Sequence, residues 1–215
     1  MDEVVSTPTY GIEPQSARGK ARLARMLQVA TELFLRDGYE QTSIDAILER
    51  SGGSKATLYA YFPTKEDLFR AVVDQVCENT HRPELLDVTA DTRIVLTEFG
   101  VSRIHIIMSP KHRAILGLIV GERERFPDLA RTYYERGPLR SQTLLSSFLN
   151  EQVRRGRLAV PDTEEAAQFF IGMLKQRWAF DVLLFPEPMP TEVALRQHVE
   201  RVVSMFLALY KPATH

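Results

Sequence analysis

Residues 42–62, TSIDAILERSGGSKATLYAYF, hold two short helical patterns on either side of a glycine-containing turn. Helices this short bury enough apolar surface only when they pack across one another and onto a longer neighbour. That requirement and the tight Ser51-Gly52-Gly53 connection are the sequence form of a helix-turn-helix. Leu58 and Phe62 lie four residues apart and pin the second helix inward, which turns Lys55, Ala56 and Thr57 outward. Such a helix is shaped to enter a DNA major groove, where only three or four of its side chains reach base edges. Lys55 can donate to guanine O6 or N7, and Ala56 and the Thr57 methyl can pack on a thymine methyl.

The flanking sequence supplies the scaffold. Leu23, Met26, Leu27, Ala30, Leu33 and Phe34 recur at three-and-four spacing and predict a first helix, which begins near residues 16–20 and is ended by Gly38. Thr42 or Ser43 caps the next helix, with Ile44, Ile47 and Leu48 inward, and Ser54 caps the third. Pro63 stops that helix, and Thr64 with Asp67 forms a capping box that opens a fourth, with Leu68, Val72 and Val76 inward. Further helices are expected over 84–108, 110–123, 128–136, 139–154, 163–184 and 191–210, with Gly137-Pro138 and Gly156 as punctuation. No useful run alternates with period two, so the expected class is all-α. The expected division is a mobile arm over 1–15, a DNA module over 16–80 and a larger helical domain over 81–215.

Charge narrows the function. The formal net charge of −1 argues against a nonspecific polyanion binder. Locally, however, residues 16–25 carry Arg18, Lys20, Arg22 and Arg25 and no acid, ahead of the helix-turn-helix, a pattern suited to phosphates. The apolar runs are too short or too interrupted to span a membrane and no leader pattern opens the sequence, so a cytoplasmic protein is expected. Cys77, the single cysteine, continues the apolar rhythm of Leu68, Val72, Val73 and Val76 and reads as a packed thiol rather than a redox sensor. No metalloprotease, Walker, nucleophile-elbow or dinucleotide-binding pattern occurs, and His81, His105, His112, His198 and His215 lack metal-ligand spacing. Catalytic residues, metals and cofactors are therefore not expected.

Residues 22–70, through LFLRDGYEQTSIDAIL, GGSKATLYAYF and PTKEDLF, resemble the N-terminal domain of the TetR/AcrR family of one-component transcriptional regulators. The resemblance implies base contacts from Lys55 and Ala56, a base or backbone contact from Thr57, and phosphate contacts from Tyr59, Tyr61 and Lys65. Thr42, Ser43 and Ser54 at the helix starts join this set, with Arg18, Lys20 and Arg22 as flanking cations. Gly53 departs from the small branched or aliphatic residue common in the family, and supplies backbone freedom to the turn. Farther on, LIVGERERFPDLARTYYERGP, GRL and AAQFF resemble the AefR-like branch.

That resemblance implies a fourth helix linking the module to a helical domain for ligand binding and dimerisation. A homodimer would form through the last two helices, with Leu195, Val199, Val202, Val203, Phe206 and Tyr210 in the seam. An effector pocket is expected among the central helices, with Ile104, His105, Met108, Leu116, Arg177 and Trp178 as candidate lining. The implied function is a repressor that holds a palindromic operator and is released by a small apolar or amphipathic molecule. The alternative is a structural DNA-binding or adaptor protein of the same fold without an inducer.

Overall fold

The computed structural model describes residues 16–80, 86–176, 178–185 and 190–212; the arm expected over 1–15 and Arg177 lie outside them. Every regular element among the described residues is helical. The chain forms two compact units, one of residues up to Val76 together with Leu118–Ala130, the other of Cys77–Gly117 with the residues from Arg131 onward.

In the first unit, helices α1 (Ala17–Gln41), α2 (Ile44–Ser51), α3 (Lys55–Tyr61) and α4 (Lys65–Thr80, as far as Val76) begin where the sequence supplies caps. Ser16, Ser43 and Ser54 each accept a backbone N–H three residues on, at 3.1, 3.1 and 3.2 Å. Thr64 and Asp67 form the reciprocal capping box, each side chain accepting the other's backbone N–H at 3.0 Å. Gly38 breaks α1 with φ 83° and ψ 174°, leaving only residues 39–41 beyond it. Gly52 and Gly53 both have positive φ, 73° and 110°, and a Cβ on Gly53 would stand 2.6 Å from Met26 Cε. The departure at Gly53 is thus what this turn's backbone requires.

Met26, Phe34, Ile47, Leu58, Leu68 and Phe69 are fully buried and join α1 to α4. Phe126, from the 118–130 segment, completes their aromatic side: its ring centroid lies 4.8 Å from Tyr39 and 5.9 Å from Phe69, and Phe69 lies 5.1 Å from Phe34. Two ion pairs, Arg125 with Glu40 and Arg70 with Asp128, fasten the same segment to α1 and α4. The sequence reading placed 118–130 in the later domain, because helical periodicity shows which face of a segment is buried but not what buries it.

In the second unit, α5 (Thr92–Met108), α8 (Arg140–Arg154), α9 (Thr163–Lys175) and α11 (Glu192–Leu209) surround one core. Phe99, Phe170 and Phe206 run through it at centroid separations of 6.3 and 5.1 Å. Gly100 allows close helix approach, since a Cβ there would lie 2.7 Å from Val199 Cγ1. Gln152 is fully buried yet satisfied, accepting from Thr92 Oγ1 at 2.9 Å and donating to the Val88 carbonyl at 3.2 Å.

Three expected boundaries change. The first helix of this unit begins at Thr92, after its Asp91 cap, rather than at 84. Gly137-Pro138 does not interrupt the chain: α7 (Pro127–Tyr134) passes through a π turn (Glu135–Leu139) directly into α8. The π turn accommodates Pro138, which could not stay in an α-helix without losing a hydrogen bond and meeting the preceding turn. The single helix expected over 163–184 is two, α9 and α10 (Trp178–Leu184), with Gln176 between them at φ 35°.

Phe126→Ala is expected to remove about 3 kcal/mol or more from the stability of the first unit. Amide exchange in α1 and α4 checks this, and unchanged protection there would mean the aromatic cluster does not depend on Phe126.

Candidate DNA interface and effector cavity

The second helix of the helix-turn-helix presents a short exposed surface. Lys55, Ala56 and Tyr59 are exposed, Thr57 and Tyr61 are half-buried, and Leu58 behind them is fully buried. Lys55 Nζ lies 2.9 Å from Asp45 Oδ1, and this hydrogen-bonded carboxylate raises the lysine pKa. The pair is solvent-exposed and contributes little, so Lys55 can exchange the carboxylate for a base edge at small cost. Thr57 shares a 3.0 Å hydrogen bond with Ser54 Oγ. Ser43 and Ser54 are exposed, but their oxygens are already engaged as caps. Arg18, Lys20 and Arg22 are exposed on the first turns of α1.

Two of the expected DNA contacts are engaged within the fold. Thr42 is buried, and its hydroxyl donates to the Gly38 carbonyl at 2.8 Å, stabilising the break in α1. Lys65 Nζ donates to the Glu40 carbonyl at 3.2 Å and stands 4.4 Å from the Tyr39 ring centroid. Burial lowers its pKa, and in this conformation it straps α4 to the end of α1.

The second unit contains a cavity of about 160 Å³ walled by α5, α6 (Pro110–Glu122), α7, the π turn, α8 and α9. Ile106, Ile107, Leu116, Pro138 and Ile171 make its apolar surface. Arg103, buried in the wall, donates to Ser141 Oγ at 3.2 Å and to Ser102 Oγ at 3.3 Å. His112 Nε2 and Tyr133 Oη lie 3.0 Å apart on another part of the lining. Lys175, from the last turn of α9, closes the set; burial alone lowers its pKa, and no ion pair to it occurs among the described residues.

Of the described residues in the expected lining, Leu116 is the one on this wall. Ile104 and Met108 are buried in the main core, and His105 meets Glu192 Oε2 at 2.8 Å. Trp178 is half-buried and edge-on to His198, at 4.6 Å between centroids. The difference on α5 is rotational: each residue turns the helix by about 100°, so the face holding Arg103, Ile106 and Ile107 differs from the one holding Ile104 and Met108. A cation inside apolar helical stretches, as at Arg103 and Lys175, was the available signal.

The side chains expected in the seam are covered within the single chain. Leu195, Val199, Val202, Val203 and Phe206 have 0% exposure in the single chain, where they pack inside the second unit, and Tyr210 is half-buried against Phe206. The outer side of α9 and α11 instead carries Phe169, Met205 and Leu209, each more than half exposed.

Two family profiles match: "Bacterial regulatory proteins, tetR family" over residues 26–72, and "AefR-like transcriptional repressor, C-terminal domain" over 94–212. The solved structure of the flavonoid-responsive regulator FrrA is 33% identical, with TM-score 0.79, and the match covers 91% of this chain and all of FrrA. The chain belongs to the TetR family. A TetR-family regulator from Mesorhizobium loti superposes with TM-score 0.80 at 27% identity, covering 91% of this chain and 100% of that one. The HTH-type transcriptional repressor ComR of Escherichia coli is 30% identical over 138 residues, 61% of this chain and 65% of ComR. This TetR-family chain is thus a DNA-binding transcriptional regulator of the repressor type, not an enzyme. Among the described residues no helix is long and apolar enough to cross a membrane.

Lys175→Met is expected to raise the melting temperature at neutral pH. The folded-state pKa of Lys175 lies below its unfolded value, so the charged form is the disfavoured one on folding. The penalty is complete below the folded pKa and disappears as pH rises through the unfolded one. Melting curves from neutral to strongly alkaline pH should show the variant's advantage shrinking; an advantage independent of pH would assign it to packing.

Proposed function

We propose that this chain is a ligand-responsive repressor that acts in the cytoplasm, binds a palindromic operator in double-stranded DNA as a homodimer, and leaves it when a small molecule fills the cavity. The observation that carries the reading is the course of the chain between cavity and DNA module. Leu116 on α6 and Tyr133 on α7 line the cavity, and the residues between them include the 118–130 segment held in the DNA unit by Phe126, Arg125 and Asp128. A ligand that shifts α6 or α7 therefore acts on a segment built into the DNA unit's core, a physical basis for coupling the two sites. A hundredfold loss of operator occupancy needs about 2.7 kcal/mol of such coupling. The name of FrrA as flavonoid-responsive and that of ComR as a repressor support the same reading.

Dimerisation would use the outer side of α9 and α11. Phe170 contacts Phe206 on the inner side of that helix pair, and Phe169, Met205 and Leu209 offer apolar surface on the other. A twofold dimer would cover this surface and set two recognition helices about 34 Å apart, one turn of B-DNA.

Operator binding should weaken steeply with salt as Arg18, Lys20 and Arg22 displace counterions. Lys55→Ala should cost about 1 to 3 kcal/mol of discrimination at one base pair. Selection of binding sites from random DNA decides the second point, since an unchanged preference would remove Lys55 from base reading. Phe169→Asp combined with Met205→Asp should sediment as a monomer while retaining helicity, and a dimer from this variant would move the seam elsewhere. Operator affinity measured by fluorescence anisotropy with a screened ligand tests induction: no change on saturation would favour a regulator without an inducer.

A further inference from the structure

We propose that the cavity in the second unit binds a compact carboxylate with an apolar body about one ring in size, its carboxylate held by Lys175. This rests on reading the cavity as the effector site and specifies its ligand. A cavity of about 160 Å³ matches a single ring with a short side chain. Ile106, Ile107, Leu116 and Ile171 provide apolar surface for such a body.

The charge of the ligand follows from Lys175. Lys175 belongs to the last turn of α9, where the helix dipole favours a cation, and no carboxylate shares the cavity lining with it among the described residues. A neutral apolar ligand would strip the remaining water from this ammonium and replace it with nothing, at a cost in affinity. A cationic ligand would meet a like charge. A carboxylate turns the same desolvation into a charge-assisted hydrogen bond. Arg103 adds positive charge to the same lining, and the neighbouring Ser141 hydroxyl and the Tyr133–His112 pair supply polar groups for a further oxygen.

The π turn that accommodates Pro138 falls on the same wall. It lies between α7 and α8 and places Pro138 in the lining, close in sequence to Tyr133 and Ser141. Such turns cost regular hydrogen bonding and recur where a helix serves a ligand site.

The test is calorimetric titration of the full chain with cinnamate and with cinnamamide, which share shape but differ in charge. Wild-type protein should bind cinnamate, and bind cinnamamide about tenfold or more weakly. Lys175→Met should weaken cinnamate by about tenfold or more while cinnamamide binds as well or better, whereas Lys175→Arg should retain most of the cinnamate affinity. Thermal melting of each variant confirms that it is folded. Equal affinity for the two compounds, indifference of cinnamate to Lys175→Met, or no cinnamate binding at millimolar concentration would each overturn the proposal. Because no DNA is present, these results are separate from induction: cinnamate that binds through Lys175 but does not alter operator affinity supports this ligand class and counts against the effector reading alone.

Discussion

The aromatic cluster of Phe34, Tyr39, Phe69 and Phe126 is the interaction on which the arrangement of this chain depends. Three of its rings come from α1 and α4, close together in sequence, and the fourth arrives from more than fifty residues later. A module in which two short helices pack on one longer helix has a small core, and a large buried ring adds apolar contact that those helices alone do not supply. Arg125 continues the cluster outward, with its guanidinium 4.9 Å from the Tyr39 ring centroid and 5.2 Å from that of Phe126. The DNA unit is therefore discontinuous in sequence, and the segment that completes it is flanked by residues of the cavity wall.

Charged groups divide into two kinds. Arg18, Lys20 and Arg22 stay exposed, where their cost is low and their attraction to phosphates is long-ranged. Arg103 and Lys175 are drawn into an apolar lining, where a charge is tolerated only if it is hydrogen-bonded, helped by a helix end or used by a ligand. Lys65 is intermediate: it resembles a phosphate contact of the family, yet its ammonium serves the Glu40 carbonyl and the Tyr39 face. The same residue type carries different chemistry because the local dielectric and neighbours differ.

Much of the DNA module was legible in the sequence, since its determinants act over three or four residues. Ser43, Ser54 and the Thr64–Asp67 box cap the helices that they precede, and Leu58 and Phe62 face inward as their spacing requires. Of the two residues that could cap the second helix, Ser43 does so, and Thr42 serves the helix behind it through the Gly38 carbonyl. In the second unit the stripe on α11 was correctly seen as apolar but given to a partner, although α5 and α9 already cover it. Periodicity identifies a buried face and is silent on which neighbour buries it.

By itself, the sequence determined the helical class, the capped helix-turn-helix and the exposure of Lys55, because caps, turns and helical faces are set by local backbone geometry. Only the tertiary structure decided that Phe126 belongs to the DNA unit, that Gly137-Pro138 continues a helix as a π turn, and that Gln176 divides the helix expected over 163–184. It also decided the cavity, since Arg103, His112, Tyr133, Ser141 and Lys175 lie on separate helices and converge only when those helices pack. A rotation of one residue about a helix axis turns a cavity position into a core position, and that angle is fixed by contacts distant in sequence.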